Sequence, residues 1–547
     1  MTFEDAVDFR SVTFEGDADF RSVTFKGTAN FVLATFGGAA WFGSATFEAN
    51  AWFELTTFRG AAGFAAAIFK GDAAFVSPAF EDVASFEWAT FEGYTDFRSA
   101  IFRGDARFTS VTFTGDARFR SVFFKDAAFK SAVFEGNARF RSAVFEGNAR
   151  FGSATFKADA DFRAAVFKGN VRFTSTVFKR SAGLGPLVCA GQVTLSGAVF
   201  SSPVTITIAA RRLECWRTHW SSTAVLQLRY ATVDFAHSVF EHPLTIAAEP
   251  GLFRLSDGML VDEQVLSSEP DATVWMASLR GVDAAHLVLA DVDLSRCLFT
   301  GTVHLDQLRL EGICLFEVIP PGTHWRRGRP VWFTQRRTLA EEHHWRASRP
   351  TAIRGWNTAV FGVGHVEPGQ VAPVYRALRK SFEDSKNEPG AADFYYGEME
   401  MRRHDSATPC AERGLLVAYW ALSGYGLRAT RALVWLLLAM TATLLAMMLW
   451  GLPADDPKSV STGKVTGQEI RLITDTPGST NPTSPLHERI SSGRFEKSLR
   501  VVINSVVFHS SGQDLTTAGA YITVLSRLTE PVLLGLVVLA VRSRVKR

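Results

Sequence analysis

The chain has 547 residues, 47% of them hydrophobic and 21% charged, with a formal net charge of +3. That length calls for more than one domain, and the near-neutral balance excludes a chain built as a whole around a polyanion. The five cysteines (Cys189, Cys215, Cys297, Cys314 and Cys410) are scattered, odd in number and without CxxC spacing. This excludes a disulfide framework and leaves reduced, mostly buried thiols as the expectation.

Residues 1–180 are an internal repeat. In "FEGDADFRSVTFKGTANFVLATF" the rings fall at Phe14, Phe20, Phe25, Phe31 and Phe36, in steps of six, five, six and five. The rhythm begins at Phe3 and Phe9 and closes at Phe167, Phe173 and Phe178. One unit, "FKDAAF" at 124–129, has lost its glycine and steps by five. A repeat of this kind decides the architecture before any local pattern does. Two residues before most Phe stands a small or β-branched residue, such as Ala18, Val23, Ala29 or Ala34. Positions i and i−2 share a face in extended chain, so each short segment sends one small and one large side chain to the same side. Such segments bury that face only by stacking like coils, about eight coils of roughly 22 residues with an axial column of rings. The extra residue of the six-step sides is expected to bulge near Gly, where positive φ is cheap.

This stretch resembles the pentapeptide-repeat family in its Phe-centred, 11-residue-spaced form. The resemblance implies an all-β right-handed quadrilateral β-helix over 1–180, with Phe14, Phe20, Phe25, Phe31 and Phe36 in its core stack. The abrupt start at "MTFEDAVDF" carries no basic-then-apolar leader, so no signal peptide is expected. An uncapped Phe3/Phe9 layer invites end-to-end self-pairing through residues 1–20. Residues 1–97 hold 14 acidic and 5 basic side chains, and 98–180 hold 7 and 16. The solenoid should therefore be acidic at one end and basic toward the other. Some members of the family occupy gyrase as mimics of duplex DNA. The balanced charge here lacks the dense negative character a mimic needs, so that partner is not expected.

Residues 181–317 keep small-x-large units with Leu in place of Phe, as in "LRGVDAAHLVLADVDLSRCLFTGTVHLDQLRLEG". They read as an irregular continuation of the β-helix, with an insertion around 211–275. Residues 318–372 form an Arg/Trp/Pro-rich connector. Its "AEEHHW" brings Glu341, Glu342, His343 and His344 together in sequence, yet neighbours on a helix diverge and cannot converge on one ion. Residues 374–429 read as a helical hairpin around "NEPG", followed by an amphipathic interfacial helix with basic flanks.

Residues 430–547 read as a two-span membrane module. "ALVWLLLAMTATLLAMMLWGL" (432–452) has no charge and meets the ~20 residues a crossing needs. Arg402, Arg403, Arg413, Arg428 and Arg431 precede it, and the chain ends "RSRVKR". Both flanks should be cytoplasmic, which requires a second span at about 516–541. Within it the polar pair Arg527 and Glu530 must pair or face protein. Between the spans a polar loop leads to a short helix, about 494–510, that dips in and returns.

This order resembles the pore module of two-span potassium-channel-like proteins. The resemblance implies a filter at "HSSGQDL", with His509, Ser510, Ser511, Gly512, Gln513 and Asp514 lining a pore. It departs from the family's T-x-G-[Y/F]-G-D, keeping only Gly512 and Asp514, so potassium selectivity is not implied. The stretch "ADFYYGEMEMRR…AERGLLVAYWALSGYGLRATRAL" also looks like the tail of actinobacterial membrane-bound pentapeptide-repeat proteins, which implies a bacterial plasma membrane. No phosphate loop, nucleophile elbow or zinc signature is present in the sequence, so no catalytic, cofactor or metal site is expected and the chain is not read as an enzyme. The expected partners are the bilayer, further copies of the chain and an unidentified protein on the β-helix face. The expected role is an anchored scaffold, with a pore gated through the β-helix as the alternative.

Overall fold

The computed structural model describes all residues except 256, 327–328, 351, 353–354, 357–363, 454–459, 467–468, 476–480, 483, 507–514 and 546–547. The chain divides into two units, Met1–Phe394 and Tyr395–Arg547.

The first unit is a parallel β-solenoid of about 14 coils. Each side of the regular coils is a strand of two residues, paired in parallel with its counterparts one coil before and after. Thr24–Phe25 pairs with Thr2–Phe3 on one edge and Thr46–Phe47 on the other. The first side becomes a 12-stranded sheet and the second an 8-stranded one, while the third and fourth merge into one sheet of 22 strands. The rings pile along the axis. Phe14 lies 4.7 Å from Phe36 at 2°, and Phe36 lies 5.0 Å from Phe58 at 1°. Adjacent columns meet edge to face, Phe36 to Phe42 at 6.0 Å and 85°. From Phe25 onward the rings of the stack are sealed, whereas Phe3, Phe9, Phe14 and Phe20 are partly open. Burying one such ring is worth about 2–3 kcal/mol, and an aromatic pair adds about 0.5–1.5 kcal/mol. The six-step and five-step rhythm is thus the spacing of four flat sides.

The corners are built differently from the sequence expectation. None of the repeat glycines from Gly16 to Gly169 lies in the left-handed region. The positive φ sits instead in the five-step corners, at Ser22 (54°), Leu33 (59°), Trp88 (57°) and Ser99 (55°) among others. There a turn closes from Ala100 N–H to the Phe97 carbonyl at 3.1 Å. The glycines serve close approach: a Cβ on Gly60 would meet the Gly38 backbone at 2.6 Å, and one on Gly93 the Gly71 carbonyl at 2.5 Å. At most of these corners the Asp or Asn of the G-[D/N] position, which follows Gly or, at Asn50, Ala49, reaches across coils. Asn50 Oδ1 accepts from Asp72 N–H at 3.0 Å and Asp72 Oδ1 from Tyr94 N–H at 2.9 Å, each 22 residues on. The consensus G-[D/N] is therefore one inter-coil device, with room for the backbone followed by a side-chain acceptor for it. Where Thr replaces Ala in the interior, Thr56 and Thr176 donate to the Phe31 and Phe151 carbonyls at 2.8 Å, so neither hydroxyl is orphaned.

The shortened unit is absorbed locally. Phe123–Ala128 becomes one strand, and its register against Ile101–Arg107 shifts between Phe102 and Asp105. Phe129 still stacks on Phe108 at 4.7 Å and on Phe151 at 4.9 Å. Beyond Phe178 the coils continue without a break to Ala248, so the insertion is narrower than 211–275. Val199 pairs with His219 and His219 with Val239, so these coils have lost residues relative to the regular ones. Leu226, Leu228 and Ile246 fill the interior there. The inserted segment is a strap after Ala248, whose Phe253, Leu255, Val261 and Leu266 pack on Val188 and Ala209 outside the solenoid. The last coils run through Leu287–Ala290 and Arg309–Glu311.

Helices α1 (Ala340–Ala347) and α2 (Pro368–Asp384), with the first residues of α3 (Glu388–His404), complete this unit. Phe316, Phe382 and Phe394 pack together there, with Phe382 and Phe394 4.9 Å apart. The second unit holds the rest of α3, then α4 (Cys410–Ser423), α5 (Ala429–Ala446, extended by a wider turn to Gly451), α6 (Ser492–Val506) and α7 (Thr517–Val545). The segments Ala429–Gly451 and Thr517–Arg542, 23 and 26 residues, are long and apolar enough to cross a membrane. The loop after α5 contains an antiparallel hairpin, Val460–Thr466 with Glu469–Asp475, which the polar composition had concealed.

Candidate functional site

Three polar assemblies stand out, and the first is the "AEEHHW" helix. Glu341 and Glu342 are both buried but serve separate partners. Glu341 Oε1 accepts from the amides of Phe299 and Thr300 and from the Thr300 hydroxyl, tying α1 to the last coils. Glu342 accepts two bonds of 2.7 Å from Arg336, one of 2.8 Å from Arg346 and one of 2.5 Å from the Tyr375 hydroxyl. His343 Nε2 meets Thr338 Oγ1 at 2.8 Å. The quartet thus diverges onto different elements. Burial acts against the Glu342 charge, but Arg336 and Arg346 outweigh it and hold the carboxyl far below its usual range. Burial pushes Glu341 up and His343 down. The arrangement is a structural lock. Its key partner, Arg336, lies just before the quartet in "QRRTL", and an arginine ahead of a buried Glu-Glu pair was the available signal.

The second assembly precedes α5. Glu400 receives Arg403 at 2.7 Å and the Tyr425 hydroxyl at 3.2 Å, and Trp420 Nε1 donates to the Tyr396 hydroxyl at 3.1 Å. The guanidinium groups of Arg403 and Arg431 lie 4.5 and 5.3 Å from the Trp420 ring. Burial raises the Tyr425 phenol well above its ordinary range, so it stays a neutral donor. Elsewhere on α4, Leu415 and Val417 are exposed.

The third assembly joins α5, α6 and α7. Arg494 of α6 donates to the carbonyls of Met448, Leu452 and Pro453 at 2.9–3.0 Å, and Arg489 to Leu449 at 2.8 Å. They satisfy the carbonyls left open at the end of the α5 segment. The start of α7 approaches the same turn. Thr516 N–H donates to the Gly451 carbonyl at 3.0 Å and its hydroxyl to Trp450 at 2.7 Å, while a Cβ on Gly519 would collide with Gly451. Small residues here let the two segments touch. Deeper along α7, Glu530 is fully buried and accepts from Ser505 of α6, and Arg527 is half-buried. The carboxylate therefore faces protein. The proposed pore-lining residues His509, Ser510, Ser511, Gly512, Gln513 and Asp514 lie outside the described residues.

The remaining reactive groups are quiet. Cys189, Cys215 and Cys297 are buried, and burial pushes the Cys189 thiol up to about 12. An open cleft of about 510 Å³ between the last coils and α2 is lined by Asp306, Arg309, Ser381 and Asp384. Lys380 holds Asp306 at 2.7 Å, and no nucleophile–base pair converges there among the described residues.

The solenoid sequence answers to a known description. The family of "Pentapeptide repeats (9 copies)" matches residues 1–46, 20–68, 75–122 and 140–185. These are pentapeptide repeats. The match falls within the regular coils and leaves out residues 69–74 and 123–139, the latter holding most of the shortened unit. No curated protein and no solved structure matches the chain.

Proposed function

We propose that the chain is a membrane-anchored pentapeptide-repeat scaffold, non-enzymatic, that presents the outer faces of its solenoid to a protein partner at the inner surface of a bacterial plasma membrane. The observation that carries this reading is the union, in one chain, of a ring-stacked solenoid with two helices long enough to span a bilayer. A column of interlocked rings with both neighbouring coils hydrogen-bonded is stiff, and a stiff surface loses little entropy on binding. The arginines before α5 and the basic "RSRVKR" end support a cytoplasmic position for both flanks.

The second reading, an ion-conducting pore of low selectivity, is favoured by α6. It is a 15-residue helix, too short to cross, that packs on both α5 and α7. Single-particle imaging of the full chain in nanodiscs, with conductance recorded in planar bilayers, separates the two. The scaffold reading expects no conductance above that of empty bilayers. A symmetric ring of copies whose conductance changes in Asp514→Ala would replace it with the pore.

A further inference from the structure

The strap shows what the third side of the solenoid accepts on its outer surface. Its sequence, "EPGLFRLSDGMLVDEQVLSSEPD" (249–271), holds six acidic residues and one basic. Its apolar side chains cover Val188 and Ala209, which are outward-facing partners on adjacent coils. Its carboxylates reach the corners on either side. Asp257 pairs with Arg141 at 3.0 Å on one corner, and Glu269 pairs with Arg211 at 2.8 Å on the other. The strap is thus an acidic, apolar segment laid across an aliphatic strip between two basic edges.

That strip does not stop where the strap does. In register beneath it run Val166, Val144, Phe123 and Ile101, one per coil, all on the outer side of the same sheet. Ile101 is 38% exposed and Phe123 is half-buried. The corners beside them carry Arg120 on one edge and Arg103 and Lys125 on the other. These three cations are exposed and enter no ion pair among the described residues, unlike Arg98, Arg141 and Arg163, which are paired. Toward the N-terminus the strip becomes Ala79, Thr57 and Thr35, so the apolar, basic-edged stretch is bounded.

We propose that the strip through Ile101, Phe123 and Val144, edged by Arg120, Arg103 and Lys125, is a docking track for an extended acidic, apolar segment of a partner protein. This rests on the scaffold reading and names the chemistry of its partner. The partner segment lies outside the sheet, as the strap does. Aliphatic side chains cover Ile101 and Phe123, and carboxylates meet the unpaired cations on both edges. Continuity with the strap-covered surface and complementarity of charge select this occupant.

The test uses the full-length protein in nanodiscs and a fluorescein-labelled synthetic peptide with the sequence of residues 252–269, read by anisotropy. Saturable binding is expected, weakened at least about tenfold by Phe123→Glu and by Arg120→Glu combined with Lys125→Glu. Thr57→Glu, on the same side but off the track, should leave it unchanged and reports on folding. A peptide with its acids replaced by Lys should not bind. Absence of saturable binding, or equal binding by all variants, overturns the proposal. So does displacement of the peptide by an equal charge of duplex DNA, which would make the edges a generic polyanion surface. A wild-type dimer that Phe123→Glu converts to monomer, without peptide binding, assigns the track to a second copy and also overturns it. Conductance in the same nanodisc preparation would count against the scaffold reading itself, whereas lost peptide binding alone counts only against the track.

Discussion

The regular coils and the closing end of the first unit are stabilised by opposite strategies. Between Phe25 and Phe178 the same contacts recur in every coil: stacked rings, an inter-coil amide–carboxylate or amide–amide bond and a left-handed corner. At the closing end, Arg336, Glu342, Tyr375 and Arg346 form one buried network, with Glu341 bonded separately to the last coils, and neither arrangement recurs among the described residues. Repetition spreads stability over nearest-neighbour interfaces, so a single defect is local. A single buried ionic network concentrates it, because removing one partner leaves a charge without compensation.

Substitutions sharpen that contrast. The largest effect is expected from Arg336→Met, which takes the two-bond partner from the buried Glu342. We expect a loss of about 3–5 kcal/mol, read as lost hydrogen-exchange protection from 299 to 394 with the coils before 180 unchanged. Loss spread evenly over the solenoid would erase the distinction. Next in size is Gly93→Ala. The added Cβ meets the Gly71 carbonyl at 2.5 Å, and overpacking of this kind costs about 1–3 kcal/mol. Exchange should rise in the adjoining coils alone.

A smaller effect is expected from pH. Burial lowers His343 below its ordinary 6.5. The unfolded chain therefore takes up the proton first, and the group's contribution is intact above 6.5 and lost as pH falls through the folded value. Glu317, Glu342, Arg336 and Arg346 are the charged groups acting on it. Melting curves should fall below that pH, and His343→Gln should flatten the fall. The smallest change is Ser99→Gly. It relieves a left-handed φ of 55° worth about 1–2 kcal/mol, against about 0.5–1 kcal/mol of extra unfolded-state freedom. A slight gain in melting temperature is expected, and a loss would mean that the serine is held by more than its backbone.

The same contrast explains what was legible in the sequence. Phe14, Phe20, Phe25, Phe31 and Phe36 announced the coil because a side chain repeated at fixed spacing has one geometric solution. The corner chemistry was misread because Gly suggests positive φ, whereas here Ser22 and Ser99 take that conformation and Gly60 and Gly93 make room for the neighbouring coil. The coils after Phe200 were partly hidden because they shorten as Leu and Ile replace Phe. An arginine just ahead of the Glu-Glu pair hinted at a partner, but the meeting of Arg336 with Glu342 and Tyr375 was not legible, since it depends on how α1 and α2 fold back. In the second unit the apolar length of α5 and α7 was plain, but the Arg494 caps and the Ser505–Glu530 contact link residues that no local pattern joins.

The central claim is that a rigid solenoid is tethered to a bilayer by two spans with its flanks on the cytoplasmic side. Alkaline extraction of membranes from cells expressing the full chain, with protease added to inverted and to right-side-out vesicles, tests it most directly. The account predicts that the chain stays in the pellet and that the protease reaches the segment after Ala248 and the basic C-terminus only in inverted vesicles. Release into the supernatant, or cleavage of those segments from the outer side, would contradict it.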